Sequence, residues 1–334
     1  MAIFVRLQEI EHEIGPAGRF ALRVTNPDVE LRATDGGLAR VRIQFEIRAD
    51  SDAEADALFE RVRFPVSSLD ESLEVAEPKH AGSTGIGSLV RIFGIGGARV
   101  DATVTAEVPA RADVVFDGVS ADVTATGFTG SQQYRTVSGD LVLAQVAGDI
   151  RVRGVSSDVS LRADEPLRLE LNTVSGDVSA FAPRFDELRL VTVSGDIELE
   201  GELGPGREHR VETVSGDFRL GVLGGVTIEV RALSSDVHVS LPHRSEGSRD
   251  RRRYVIGGGE ASLLFSSMSG DITAGAARRT TRVPVAPSPM APQPAAAPTA
   301  VPADEELAIL RALERGEIDV DEAAARLAGG APDA

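Results

Sequence analysis

Four copies of Thr-Val-Ser-Gly-Asp end at Asp140, Asp177, Asp196 and Asp217, and four looser copies end at Asp122 (GVSAD), Asp158 (GVSSD), Asp236 (ALSSD) and Asp271 (SMSGD). The period runs from 18 residues (Asp122 to Asp140) to 21 (Asp196 to Asp217). Self-similarity at that spacing marks a solenoid, in which each repeat buries its apolar face only against its neighbours. The one long interval, from Asp236 to Asp271, contains Arg249, Arg251, Arg252 and Arg253 and the run Gly257 to Gly259. It reads as a loop thrown out of a coil.

Aligned on their aspartates, the copies share one apolar frame. It is Leu169, Leu171, Val174, Gly176, Val178, Ala180 in one repeat and Leu188, Leu190, Val193, Gly195, Ile197, Leu199 in the next. Val114, Phe116, Val119 and Val123 open the series, and Leu263, Phe265, Met268 and Ile272 close it. Alternation at period two indicates strands with one buried face, and the step of three in mid-frame reverses parity and marks a corner. The expected fold is mainly β, a parallel β-helix or β-solenoid over residues 101–278. Val137, Val174, Val193 and Val214 are expected in one inward column, with the Thr, Ser and Asp of each pentapeptide pointing outward. The small residue before each Asp falls on the inward parity, where Gly or Ser spares the interior a side chain.

Coils stacked about 4.8 Å apart put the aspartates in a column in which each adjacent pair costs on the order of 1 kcal/mol in water. Backbone N–H groups at the turn can offset that cost, or a column of hard cations can. The glycine frame of calcium-binding β-rolls, Gly-Gly-x-Gly-x-Asp, is missing around every copy. The expectation is therefore no metal site and no requirement for a divalent cation.

Residues 1–100 read as a strand-rich cap with one short helix. Phe20, Leu22 and Val24, and then Val41, Ile43, Phe45 and Ile47, alternate as strands, with turns at Asn26-Pro27-Asp28 and Asp35-Gly36-Gly37. Ser51 followed by Glu54 is a capping box, and the helix it opens stops before Pro65. Residues 279–303 form a Pro/Ala linker, extended and semi-rigid. Beyond it, residues 304–329 carry Leu307, Leu310 and Leu313 at helical spacing, a stop at Gly316, and a second capping box from Asp319 to Glu322 that leads to Leu327.

Composition narrows the function classes. Of 334 residues 42% are hydrophobic but only 4% aromatic, with no Trp, which suits a narrow aliphatic core rather than an aromatic-lined pocket. A net charge of −17 repels nucleic acid and anionic lipid. There is no Cys, so disulfides and thiolate metal sites are ruled out. The N-terminus lacks a basic region followed by an apolar core, and the stretch Gly85 to Val100 is broken by Arg91 and too short to span a bilayer. The localisation these features lead one to expect is cytoplasmic, with cell-envelope association as the alternative.

The Val108-Pro109-Ala110 step into the coils, followed by repeated TVSGD and then Leu, Val, Ile or Phe, resembles the bacterial putative-adhesin family of β-strand-repeat proteins. The C-terminal ELAILRALERGEIDVDEAAARLAG is similar to the short helical hairpin, of the SHOCT type, that often ends such chains. The resemblance covers roughly residues 15 to 275 and, separately, 304 to 329. It implies the repeat fold. The family's biochemical function is largely unknown, so the resemblance implies no particular activity.

Candidate chemistry is sparse. His12, His80, His209, His238 and His243 show no metal-ligand spacing, and His238, between Val237 and Val239, is expected to point outward. Catalysis by paired carboxylates needs unlike environments with separated pKa values, whereas repetition gives like ones. Neither Gly85-Ile-Gly87 nor Gly94-Ile-Gly96-Gly97 completes a nucleotide loop. The expectation is no catalytic residue and no cofactor. Arg249, Arg251, Arg252 and Arg253 could grip an anionic partner, although a solvated charge run is the plainer reading. Taken together, the residues describe a non-enzymatic scaffold or interaction protein, with a protein partner or a second copy bound through Leu307, Leu310, Leu313, Ile318 and Leu327. A surface adhesin for protein or glycan, or a carbohydrate-active β-helix enzyme, are the alternatives; nucleic acid is not an expected partner, and no membrane span is expected.

Overall fold

A computed structural model describes residues 2–78, 100–248 and 251–277. The chain is mainly β, one mixed sheet folded at repeated corners around an interior of aliphatic residues with interspersed Phe and Tyr134. Its middle is regular. Leu141–Arg153, Val159–Asn172 and Val178–Val191 pair in parallel, with Leu141, Val159 and Val178 in register before the bend and Val152, Leu171 and Leu190 in register after it. All six side chains are buried, and each such residue contributes about 1.5–3 kcal/mol through burial.

The two ends depart from chain order. At the N-terminal end, Arg19–Arg23 lies between Ser72–Ala76 and Asp113–Asp117, and Asp28–Thr34 lies between Val100–Pro109 and Val123–Thr126. At the C-terminal end, Ala261–Ser269 is inserted between Glu208–Glu212 and Val226–Ser234. Likewise Ile272–Ala276 is inserted between Phe218–Val222 and Val237–Val239. Among the described residues the last coil in the sequence is thus the penultimate coil of the stack. Phe265 and Phe218, both fully buried, stack across this junction with centroids 5.0 Å apart and planes inclined by 6°.

The interval between Asp236 and Asp271 is not the loop its composition suggests. His243–Ser248 and Arg251–Ile256 form an antiparallel hairpin, and the second strand pairs antiparallel with Val226–Ser234. These strands lie at the rim of the sheet; among their described side chains Ile256 is buried and Arg252, Tyr254 and Val255 are partly so. On the outer strand His243 to Gly247 are all exposed, so no apolar alternation is needed there and none can be read.

The N-terminal strands carry the expected alternation. Val41, Ile43, Phe45 and Ile47 are buried on Leu38–Ala49, which pairs antiparallel with Ala2–Glu13 on one side and Val100–Pro109 on the other. The helix Asp52–Val62 packs over them. Ser51 caps it, its hydroxyl accepting from the Glu54 N–H at 3.2 Å while Glu54 accepts from the Asp50 N–H at 2.9 Å. Among the described residues no helix is long and apolar enough to cross a membrane. The Gly85 to Gly97 segment, the linker, and Leu307, Leu310, Leu313, Ile318 and Leu327 lie outside the described residues.

Candidate functional site

The repeated pentapeptide builds one structure at every corner, and its parity is the reverse of the expected one at two positions. The threonines are inside: Thr136, Thr173, Thr192 and Thr213 are 2–7% exposed. Each hydroxyl donates to the backbone carbonyl of the serine two residues on, at 2.8 Å from Thr136, 3.0 Å from Thr173, 3.1 Å from Thr192 and 3.0 Å from Thr213. Ser267 makes the same bond to Ser269 at 2.9 Å in the looser last copy. The hydroxyl satisfies a carbonyl that the turn would otherwise strand, so the β-branched residue that can donate takes the inward place. The valines are outside. Val137, Val174, Val193 and Val214 are 42–49% exposed, so the inward column expected of them does not exist. The alternation of buried residues runs Leu169, Leu171, Thr173 and resumes at Val178, and the turn is the four residues between.

The glycine is required by conformation. Gly139, Gly176, Gly195 and Gly216 have φ of 102°, 112°, 121° and 124°, a region costly to any residue with a Cβ. A Cβ on Gly195 would also lie 2.2 Å from the Gly176 carbonyl oxygen of the coil beneath. The serines stack in parallel bridges from Ser120 through Ser138, Ser156 and Ser175, and again from Ser194 to Ser215. Hydroxyls meet at 3.1 Å between Ser138 and Ser120 and at 3.2 Å between Ser156 and Ser175.

The aspartates form a ladder of backbone-to-carboxylate bonds. The N–H of Asp140 donates to Asp122 Oδ1, that of Asp177 to Asp158 and that of Asp196 to Asp177, each at 2.8 Å. It continues from Asp217 to Asp196 and from Asp271 to Asp217 at 2.9 Å, and from Asp236 to Asp271 at 3.1 Å. The ladder follows the stack rather than the chain. Its donors are the backbone groups expected to offset the carboxylate column, and charge-assisted bonds of this kind are the stronger ones. No such bond joins Asp158 to Asp140 among the described residues. Asp140 is held above the usual carboxylate range by partial burial and then by the charges of Asp122 and Asp158. Because folding raises its pKa, the folded protein binds this proton more tightly than the unfolded chain. The group therefore disfavours folding as pH rises through its titration, and the penalty is relieved below it. Asp140→Asn should be no less stable than the parent at neutral pH and should gain less stability on mild acidification; melting temperature against pH for both chains tests this.

Outward of these ladders runs a continuous apolar ridge. Val119, Val137, Val155, Val174, Val193, Val214 and Met268 follow one another from coil to coil, and the last six are 42–56% exposed. Six steps of about 4.8 Å make a ridge of about 29 Å. Reading apolar residues as inward hid this feature from the sequence, although the repeat of Val beside Ser and Asp was its signal.

The other candidates are scattered. His12, His209 and His243 each contact a backbone carbonyl, of Asp70, Gly204 and Leu241, at 2.8 Å, and they lie on different elements. His238 is exposed, and His80 lies outside the described residues. Of the arginine run, Arg249 lies outside the described residues, while Arg251, Arg252 and Arg253 belong to the rim hairpin. There Arg253 stands opposite Glu229 on one side and Glu246 on the other. Acidic cross-strand neighbours weaken its attraction for an anion.

A family model described as Toastrack DUF4097 matches residues 21–274, which is most of the chain and all of the corner ladder. The chain belongs to the Toastrack DUF4097 family. No curated protein matches it. Among solved structures, it is similar to a putative cell adhesion protein from Clostridium sporogenes at 10% identity, covering 81% of this chain and all of that one, with a TM-score of 0.23. A putative lipid binding protein from Parabacteroides distasonis shares 11% identity, covering 80% and 96%, with a TM-score of 0.44. A putative adhesin from Bacteroides fragilis shares 13%, covering 80% and 97%, with a TM-score of 0.31. The Toastrack family assignment rests on the family model alone.

Proposed function

We propose that this Toastrack protein is a non-enzymatic scaffold of the adhesin type that holds a protein partner. The observation that supports this most is the ridge from Val119 to Met268, with its flanking serine and aspartate ladders. Contiguous exposed apolar surface on a soluble chain is costly to keep and marks interaction sites. A narrow convex ridge suits an extended macromolecular surface better than a small molecule, which binds in concave sites. The acidic ladder beside it favours a partner with basic residues flanking an aliphatic strip. The leucines at 307, 310 and 313, with Ile318 and Leu327, are proposed as a second and separate recruitment element, for a partner or for self-association. Their support is helical spacing on a Pro/Ala tether, which raises effective concentration near anything the coils hold.

The test compares three full-length chains and one truncation in partner recovery from the source cells. Val174→Lys with Val193→Lys should lose a partner that the parent recovers while keeping its melting temperature. Leu310→Asp should lose a partner or self-association without touching the ridge-dependent one, and truncation after Pro302 should reproduce it. Recovery unchanged in every variant would end both parts of the proposal.

A further inference from the structure

The strands at the limits of the stack differ in how they end it. Val66–Leu69 has four residues, Val237–Val239 three, and His243–Ser248 six that include Arg244, Glu246 and Gly247. Short, charged or glycine-bearing rims are how sheets discourage further pairing. Ala2–Glu13 is different. It has twelve residues and pairs only with Leu38–Ala49, so no described strand covers its other edge. On its outward face Ile3, Val5 and Leu7 are 59%, 54% and 46% exposed, and beyond them that face turns acidic with Glu9, Glu11 and Glu13.

We propose that residues Ala2 to Gln8 of this strand pair antiparallel with the same residues of a second copy, about a two-fold axis at Val5. The sequence of the strand selects that register. Centred on Val5, Ile3 faces Leu7 of the other copy, Val5 faces Val5, Phe4 faces Arg6 and Ala2 faces Gln8, and directly opposed residues share a face in an antiparallel pair. Among the described residues the overlap runs from Ala2 to Gln8, and it opposes no two carboxylates. Centred on Leu7, by contrast, Val5 would face Glu9 and Ile3 would face Glu11. A parallel pairing would align the glutamates of both copies. A two-fold axis also closes the assembly, since each copy spends on the other the one long strand edge that no described strand covers. The inner face is already ordered for this: Arg6 donates to Asp52 and Asp56 of the capped helix at 2.7 Å each, and Gln8 donates to the Phe64 carbonyl at 2.8 Å. A single strand pair with three aliphatic residues per copy is a small interface, so the dimer is weak and dissociates on dilution.

This inference is independent of the partner-binding proposal, because it uses neither the ridge nor the C-terminal leucines. Sedimentation velocity of the full chain across a dilution series should show a reversible monomer–dimer equilibrium. Val5→Lys should be monomeric at every concentration, with the parent's circular dichroism and melting temperature, because Val5 is exposed. The chain has no cysteine, so Val5→Cys carries one thiol, which the proposed axis brings face to face with its copy. Mild oxidation should join Val5→Cys into a covalent dimer and leave Glu11→Cys monomeric. A parent that stays monomeric throughout overturns the proposal. So does a dimer that survives Val5→Lys, including one lost instead in Leu310→Asp, or equal cross-linking of the two thiol variants.

Discussion

Gly195→Ala should destabilise the protein by roughly 3 kcal/mol or more, lowering the melting temperature by about 10 °C, while Val193→Lys two residues away changes stability by no more than about 1 kcal/mol. Alanine there must hold its backbone at φ near 121°, and its methyl would stand 2.2 Å from the Gly176 carbonyl oxygen. That oxygen belongs to a backbone already stacked on the next coil, so relief requires displacing a turn and with it the Asp196 to Asp177 bond. Val193 has no such constraint, being 46% exposed. Thermal melts of the two variants decide the matter. Near-parental melting of Gly195→Ala together with collapse of Val193→Lys would mean that the corner is turned the other way.

That contrast also shows which parts of the fold could be read from the residues. Around Asp177 and Asp196 the positions eight and six before the Asp, and one and three after it, behave as their hydrophobicity indicates; Leu188, Leu190, Ile197 and Leu199 are all buried, whereas the equivalent Gln132 and His209 are buried though polar. The helix cap at Ser51 and the alternation on Leu38–Ala49 were equally legible, because capping and period-two patterns are local signals. The valine of the pentapeptide misleads because hydrophobicity is only a one-way guide: a buried polar group needs a partner, and an exposed apolar one needs nothing. Thr192 takes the inward site since its hydroxyl has the Ser194 carbonyl at 3.1 Å, and Val193 is left for solvent or a partner. A candidate site made of exposed valines therefore carries no chemical signature of its own, whereas its repetition along the stack is plain once parity is known.

Coil order was not legible at all. Nothing local in Ala261–Ser269 distinguishes a strand that follows Val226–Ser234 from one that slips beneath it, since both present the same alternating face to a neighbour. The insertion has a mechanical consequence. Val226–Ser234 has Ala261–Ser269 on one side and the rim hairpin on the other, and Val237–Val239 rests on Ile272–Ala276. Residues 226–256 are thus attached to the stack through residues that come later in the chain.

Phe265→Ala should accordingly melt more than its own coil. The ring is fully buried and stacked on Phe218, and removing it should cost about 3–5 kcal/mol. In a stack held by nearest-neighbour contacts, that loss falls on the interfaces of one coil and on whatever those interfaces support. Hydrogen exchange should therefore rise together in residues 226–239, the hairpin His243–Ser248 and Arg251–Ile256, and the inserted strands Ala261–Ser269 and Ile272–Ala276. Glu208–Glu212 and Phe218–Val222 should stay better protected, since they keep their pairing with Val178–Val191 and Ile197–Leu203. Stacking in simple chain order gives the opposite pattern, in which residues 226–239 remain protected against Glu208–Val222 while only the last coil opens. If exchange in residues 226–239 is unchanged in Phe265→Ala while residues 261–276 open, the inserted order is wrong, and the aspartate ladder through Asp217, Asp271 and Asp236 is wrong with it.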